Sequence, residues 1–189
     1  MASPSGLGYQ IGPPMMWYFA YGSNMQSGTL RGRRGVTVHR AVAVRATGWR
    51  VVFDKPPLVS IGEAFANLIP DTHAVAVGVA FEVSEDDHAH IEFSEGVLIG
   101  NYRRIELAVE PLAPCDDPPA LAASLTSERR DAALLPSARY MGLVIEGAGE
   151  HGLPDDYVAW LRSVPVGESS AVARAFRPLA DSLMRLRRS

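Results

Sequence analysis

A chain of 189 residues is long enough for one well-buried domain and short for two. Hydrophobic residues at 47% and charged residues at 21% exclude a disordered chain and match a folded globular one. The formal net charge of -3 gives no basic field, so nucleic acid is not expected as a partner.

Residues 1–14, MASPSGLGYQIGPP, are rich in Gly, Pro and Ser, lack periodicity and read as a flexible lead-in, leaving 15–189 as a single domain. The apolar and aromatic run at 15–21 reads as a buried strand that stops at Gly22-Ser23-Asn24 and passes into NMQSGTLRGRR, a short helix or irregular turn. Two β-branched stretches, 39–44 and 49–54, are punctuated by Asp54-Lys55-Pro56-Pro57, and two more strands at 64–69 and 75–83 are separated by Pro70-Asp71. Ser84, followed by Glu85, Asp86 and Asp87, is a capping signal for a helix that runs to about residue 94 or 95, with Gly96 as its stop. Strand character returns at 102–109 and again at 120–127. Pro136-Ser137 opens a helix through residue 148, Gly152-Leu153-Pro154-Asp155 opens a second, and 168–187 forms a third, kinked at Pro178. The elements do not alternate as βαβ units would, so the architecture is a mixed, largely antiparallel sheet or small barrel with helices packed outside.

Four groups of residues could carry chemistry. A strand ending in Gly22-Ser23-Asn24 presents free backbone N–H groups, lets a ligand approach at Gly22, and suits a carboxylate or oxyanion. The plain alternative is a strand-to-helix turn with Asn24 as N-cap, and no G-x-S-x-G surrounds Ser23 to make it a nucleophile. Glu95, in FSEGVLIGNYRR, falls in the last turn of a helix beside Phe93, Val97, Leu98 and Ile99, a negative and apolar setting that suits a general base. The plain alternative is a surface glutamate.

Histidines form the third group. His88 and His90 follow Asp86 and Asp87, but on a helix residues two apart diverge and cannot share one ion, so a solvated helix face is expected. His39, His73 and His151 are isolated, and no metal is expected. Tyr21, Tyr102 and Tyr140 each border a turn where a phenol could bond a polar ligand and wall its pocket.

Several residues carry no functional expectation. Cys115 is the single cysteine, in a proline-rich loop, which excludes an internal disulfide and a Cys-based zinc site. Lys55 is the only lysine among 18 basic residues and reads as compositional bias, while the cluster at 185–188 reads as a solvated helix end. No run reaches the ~18 apolar residues of a membrane span and the N-terminus lacks a signal pattern, so a cytoplasmic protein without membrane partners is expected.

Together the motifs resemble the gamma-glutamylcyclotransferase family. F-A-Y-G-S-N-M at 19–25 resembles its Y-G-S-N loop and E-G-V-x-x-G-x-Y at 95–102 its catalytic segment. Pro136-Ser137-Ala138-Arg139-Tyr140 resembles its P-S-x-x-Y helix start, and Glu150-His151-Gly152-Leu153-Pro154 a later N-G-L-P turn. The resemblance spans about residues 16–165, in the same order. It implies an α+β fold, a small mixed β-barrel with flanking helices, and a cofactor-free reaction on a small-molecule γ-glutamyl substrate, in which the α-amine attacks the γ-carbonyl to give 5-oxoproline. It also implies Glu95 as the catalytic acid and base, the Tyr21, Gly22, Ser23 and Asn24 turn as the substrate cradle, and Tyr102 and Tyr140 as pocket walls. Ile91 and His151 depart from the family's usual Asp and Asn, which leaves the leaving group open. Removal of a γ-glutamyl protecting group from a larger amine and a non-catalytic carboxylate binder stand as alternatives, and the oligomeric state is open.

Overall fold

The computed structural model describes residues 13–59, 62–168 and 171–185. The expected lead-in therefore lies outside the described residues except at its end, where the Pro14 carbonyl accepts a hydrogen bond from the Glu85 amide at 3.0 Å. Beyond Arg185, the terminal basic cluster also lies outside them.

β1 (Met15–Ala20) runs through the middle of a six-stranded sheet with strand order β4-β6-β1-β3-β2-β5. Its alternation explains its position: Tyr18 and Ala20 face one way, Phe19 and Tyr21 the other, and all four are buried, as a central strand covered on both faces requires. β2 (Arg40–Lys55) and β3 (Phe65–Ser84) form a long antiparallel ribbon. The four short strands expected at 39–44, 49–54, 64–69 and 75–83 are thus two long ones. Pro70-Asp71 does not end a strand because the register absorbs it. Thr47 pairs with Val75 and Trp49 with Pro70, so Gly48 at φ 83° stands opposite 71–74 in a bulge. A proline without an N–H is tolerated at such an irregularity.

β4 (Arg103–Ala108) pairs antiparallel with β6 (Leu121–Thr126), β5 (Glu110–Pro111) pairs with β2, and the β1–β6 contact is the parallel one. The sheet curls into a half-barrel. Phe19, Val44, Leu68, Ala80 and Leu107 fill its inside. Its outside is covered by α1 (Glu85–Ser94), α2 (Ala138–Glu150) and α3 (Asp155–Ser163), through Ile91, Met141, Val144 and Leu161 against Tyr18, Val79 and Phe81. Each fully buried aliphatic or aromatic side chain contributes about 1.5–3 kcal/mol. α4 (Ala171–Arg185) follows, with Pro178 inside it.

The helix starts are those the sequence announces. Ser84 accepts from the Asp87 amide at 3.1 Å and Ser137 from the Tyr140 amide at 3.3 Å. The solvated face expected around His88 is corrected: Asp87, His88 and His90 are buried. The His88 ring meets Tyr18 edge-on at 5.9 Å, and His90 Nε2–H donates to the Arg34 carbonyl at 2.9 Å. Three acids at the first turn conceal that α1 is covered on two sides, by β1 at His88 and by the segment around Arg34 at His90.

Candidate active site

At the end of β1 the chain tightens into a 3₁₀ turn, Ser23–Met25, closed by the Met25 amide on the Gly22 carbonyl at 3.0 Å. The residue at its N-cap is Gly22, so Asn24 is not the cap; it is buried inside the turn. α2 presses this turn into place. A Cβ at Gly147 would meet the Gln26 nitrogen at 2.5 Å and the Met25 carbonyl carbon at 2.6 Å, so only glycine permits the approach. At the end of α2, His151 Nε2–H donates to the Met25 carbonyl at 3.1 Å, and Glu150 accepts from the Ser27 amide at 2.8 Å. A π-helical turn, Gly28–Arg33, then delivers Arg34 to the turn it has just left.

Glu95 occupies the C-cap of α1. Gly96 and Gly100, at φ 74° and 70°, reverse the chain on either side of a 3₁₀ turn at Val97–Ile99, which explains the two glycines of EGVLIGNY. Of the four apolar residues expected to surround Glu95, Phe93, Leu98 and Ile99 are exposed and only Val97 is half-buried against the core. Leu98 and Ile99 are 65% and 68% exposed, because the left-handed Gly96 swings them to the outside. What surrounds the carboxylate is polar. Its Oε1 accepts from Asn24 Nδ2 at 3.1 Å and from Arg34 Nη2 at 2.5 Å. Arg34 also donates through Nε to Asn24 Oδ1 at 2.9 Å and through Nη1 to Ser94 Oγ. The second hydrogen of Asn24 Nδ2 goes to Tyr18 Oη at 2.9 Å, so both amide hydrogens of Asn24 are used. Arg34 is 6% exposed and Glu95 21%, which leaves the carboxylate in reach of a ligand and the guanidinium behind it.

The three expected tyrosines converge here, but their hydroxyls are already engaged. Tyr21 donates to the Leu125 carbonyl at 2.6 Å and Tyr102 to the Ala66 carbonyl at 2.9 Å, while Tyr140 Oη accepts from the Ala66 amide at 3.1 Å. They are walls held by the sheet. Burial pushes the Tyr140 phenol up to about 12 and the other two well above their usual range, with the Glu95 charge adding to each, so all stay protonated. A Cβ at Gly22 would lie 3.0 Å from Tyr140 Oη and 3.1 Å from Ala66 Cβ, so the turn also packs tightly on this wall.

The cavity these groups enclose has a volume of about 440 Å³ and is lined by Gly22, Ser23, Asn24, Glu95, Tyr102 and Tyr140 among others. Sequence reasoning brings out all six. It misses Tyr18, Arg34, Lys55, Glu63 and Asn101, which also line it. Only the rarity of Lys55 was a signal for any of these, and the compositional reading set it aside. Lys55 is 1% exposed and Glu63 6%. Among the described residues no three His, Cys, Asp or Glu side chains could hold a metal ion together. Cys115 is exposed, away from this cavity's lining residues.

Residues 76–161 match the model of the AIG2-like family, a span that contains Glu95, Tyr102 and Tyr140 but not the turn at 22–25. A protein of Aspergillus oryzae named gamma-glutamyl cyclotransferase aclK is 28% identical over 166 residues, which cover 78% of this chain and 60% of that relative's length. A solved structure named gamma-glutamyl cyclotransferase superposes with a TM-score of 0.73 at 20% identity, covering 89% of this chain and 99% of the other. An uncharacterized human protein follows with a TM-score of 0.69 at 21% identity over 86% and 97% of the two chains. YkqA of Bacillus subtilis gives 0.67 at 19% identity over 81% and 56%. At these identities the solved structures show a common fold, a curled mixed sheet with flanking helices. Among the described residues no helix is long and apolar enough to cross a membrane.

Proposed function

We propose that this chain, which resembles the gamma-glutamyl cyclotransferases in sequence and shares their fold, is itself one: it releases 5-oxoproline and a free amine from a γ-glutamyl amino acid or amine. The observation that carries the reading is the buried Tyr18–Asn24–Arg34–Glu95 network. It joins two motifs 71 positions apart and leaves one carboxylate facing the cavity.

The chemistry follows from that geometry. With Oε1 held by Asn24 and Arg34, Oε2 is the oxygen that takes a proton from the substrate's α-ammonium. The freed amine attacks the γ-carbonyl carbon and a C–N bond forms in a five-membered ring. Collapse of the tetrahedral adduct breaks the original amide C–N bond as Glu95 passes its proton to the departing nitrogen, and the second proton shed by the ring nitrogen leaves with the freed amine as its ammonium. No water enters and the atoms balance. Holding a flexible glutamyl chain folded end to end is an entropic task, which the tyrosine walls and the 21–24 turn perform. Backbone N–H groups of that turn stabilise the developing oxyanion. Arg34 fixes the carboxylate in place and offsets its charge.

A second reading, removal of a γ-glutamyl group from a bulky amine, is favoured by the cavity mouth. Pro57, Leu58 and Val59 line it, and the last two are 45% and 52% exposed, a surface suited to a large apolar leaving group. A panel of γ-glutamyl-alanine, γ-glutamyl-ethylamide and γ-glutamyl arylalkylamines, read out as 5-oxoproline, separates the two readings by relative kcat/KM. Absence of turnover across the panel rejects both.

A further inference from the structure

The only lysine of the chain sits in the cavity. Lys55 ends β2, opposite Phe65, and the prolines that follow turn the chain away, leaving its side chain directed inward and 1% exposed. Its ammonium lies 4.3 Å from the centre of the Tyr102 ring and donates to Asn101 Oδ1 at 2.5 Å. No carboxylate of the described residues lies within 4.0 Å of it. The Asn101 oxygen is shared: Arg129 Nη1 donates to it at 3.3 Å and likewise meets no carboxylate within 4.0 Å among the described residues. Glu95, the nearest source of negative charge, already has its cation in Arg34. Two cations therefore converge on one neutral amide oxygen at the wall of a cavity.

A desolvated ammonium without a counter-ion is costly unless something supplies the charge, and a ring face and one amide oxygen do not. Burial lowers the Lys55 ammonium to about 8, while the Glu95 charge acts to raise it. At neutral pH it is still mainly protonated. The side chain is also anchored: Asn101, which binds it, donates through Nδ2 to the Glu95 carbonyl at 2.9 Å, and Ser127 Oγ donates to the Asn101 carbonyl at 2.8 Å.

We propose that Lys55 is the carboxylate-binding residue of the cavity, its unmatched ammonium receiving a carboxylate of the compound that Glu95 acts on. The inference rests on the γ-glutamyl reading for the substrate's identity, and it adds the residue that selects acids over neutral amides. A γ-glutamyl amino acid offers two such groups, the α-carboxylate of the glutamyl part and the carboxylate of the leaving amino acid. Both have the chemistry Lys55 requires.

Because Lys55 is the sole lysine, selective ε-¹³C-lysine labelling gives one side-chain NMR signal from the wild-type protein. Its pH titration is followed alone, with 5-oxoproline, with alanine, and with the carboxylate-free counterparts 2-pyrrolidinone and ethylamine. The expected result is an upward shift of the titration midpoint with 5-oxoproline or alanine at saturation, and none with the counterparts. Whichever acid moves the signal identifies which carboxylate docks. An unmoved midpoint with both acids overturns the inference without touching the reading of function. In kinetics, Lys55→Met should raise KM for γ-glutamyl-alanine at least tenfold with kcat within about threefold, the loss expected for one charge-assisted hydrogen bond, and Lys55→Arg should recover part of it. An equal rise for γ-glutamyl-ethylamide assigns the α-carboxylate, and a rise confined to γ-glutamyl-alanine assigns the leaving group. A variant that loses kcat at unchanged KM contradicts carboxylate binding. If no γ-glutamyl compound turns over while the NMR shift persists, the reading of function fails and the subsite stands.

Discussion

Arg34→Met removes the cation that organises the candidate site while keeping the length and apolar stem of the side chain. Three hydrogen bonds are lost at once: to Glu95 Oε1 at 2.5 Å, to Asn24 Oδ1 at 2.9 Å and to Ser94 Oγ. Breaking a buried ion pair by deleting one partner costs about 3–5 kcal/mol. Glu95 keeps 21% exposure, so water recovers part of its solvation and the lower end, about 3 kcal/mol, is expected. For a chain of this length that is roughly a 6–12 °C fall in Tm. Activity should suffer more than stability. Asn24, freed of Arg34, can rotate away from Tyr18 and Glu95, and a displacement of the base by about 1 Å costs roughly a hundredfold in kcat. Arg34→Lys keeps the charge but not the fork and should fall between. The assays are differential scanning calorimetry and 5-oxoproline release from γ-glutamyl-alanine below the variant's melting range. If Arg34→Met lies within 0.5 °C and threefold in kcat of the wild type, the guanidinium does not organise the site and the reasoning is wrong.

Other predictions rest on single observations. Burial and the nearby Arg104 lower the His88 imidazolium to about 4, below its usual 6.5, so the unfolded chain binds more protons between those values. The stability this residue contributes is therefore complete above pH 6.5 and is lost as pH falls toward 4, by about 2 kcal/mol between pH 7 and 5. In urea titrations at both pH values, His88→Leu should show a correspondingly smaller difference; an unchanged difference rejects a neutral buried His88. Gly147→Ala would bring a methyl to 2.5 Å from the Gln26 amide, and should cost about 1–3 kcal/mol and lower kcat by moving Asn24. Wild-type kcat in that variant would show that the α2 contact does not set the turn. Tyr102→Phe loses the bond to the Ala66 carbonyl and leaves it unpaired, costing about 1–3 kcal/mol by calorimetry, with the ring still in place for Lys55. A neutral result would mean that the carbonyl finds another donor.

Legibility in the sequence followed the range of the interactions. Ser84 and Ser137 announce their helices because a cap acts over three residues, and the alternation in β1 announces a strand because the pleat repeats every two. Gly96 and Gly100 could be read as a wrapping loop because the left-handed conformation marks itself with glycine. The long ribbon was not legible as one element. Pro70 breaks strands locally, and only the pairing of Trp49 with it shows how the bulge accommodates it. The two halves of the site can be read from their own residues as well as from motif resemblance, but the parts that join them cannot. Arg34 lies 61 positions from Glu95 in a run of arginines that looks like any surface charge, and Tyr18 looks like core. Lys55 was passed over for a different reason. Its rarity was visible, but its burial is a property of the fold.

The most direct measurement is 5-oxoproline release by the wild type and by Glu95→Gln, with γ-glutamyl-alanine as substrate and the freed alanine measured alongside by NMR. Glutamine keeps the shape of the side chain and an oxygen for Arg34 and Asn24, so the fold should persist while proton transfer is lost. Equal amounts of 5-oxoproline and alanine are expected from the wild type, and at least a thousandfold slower release from the folded variant. A wild type that turns over no γ-glutamyl compound, or a Glu95→Gln variant at full rate, would contradict the proposed function.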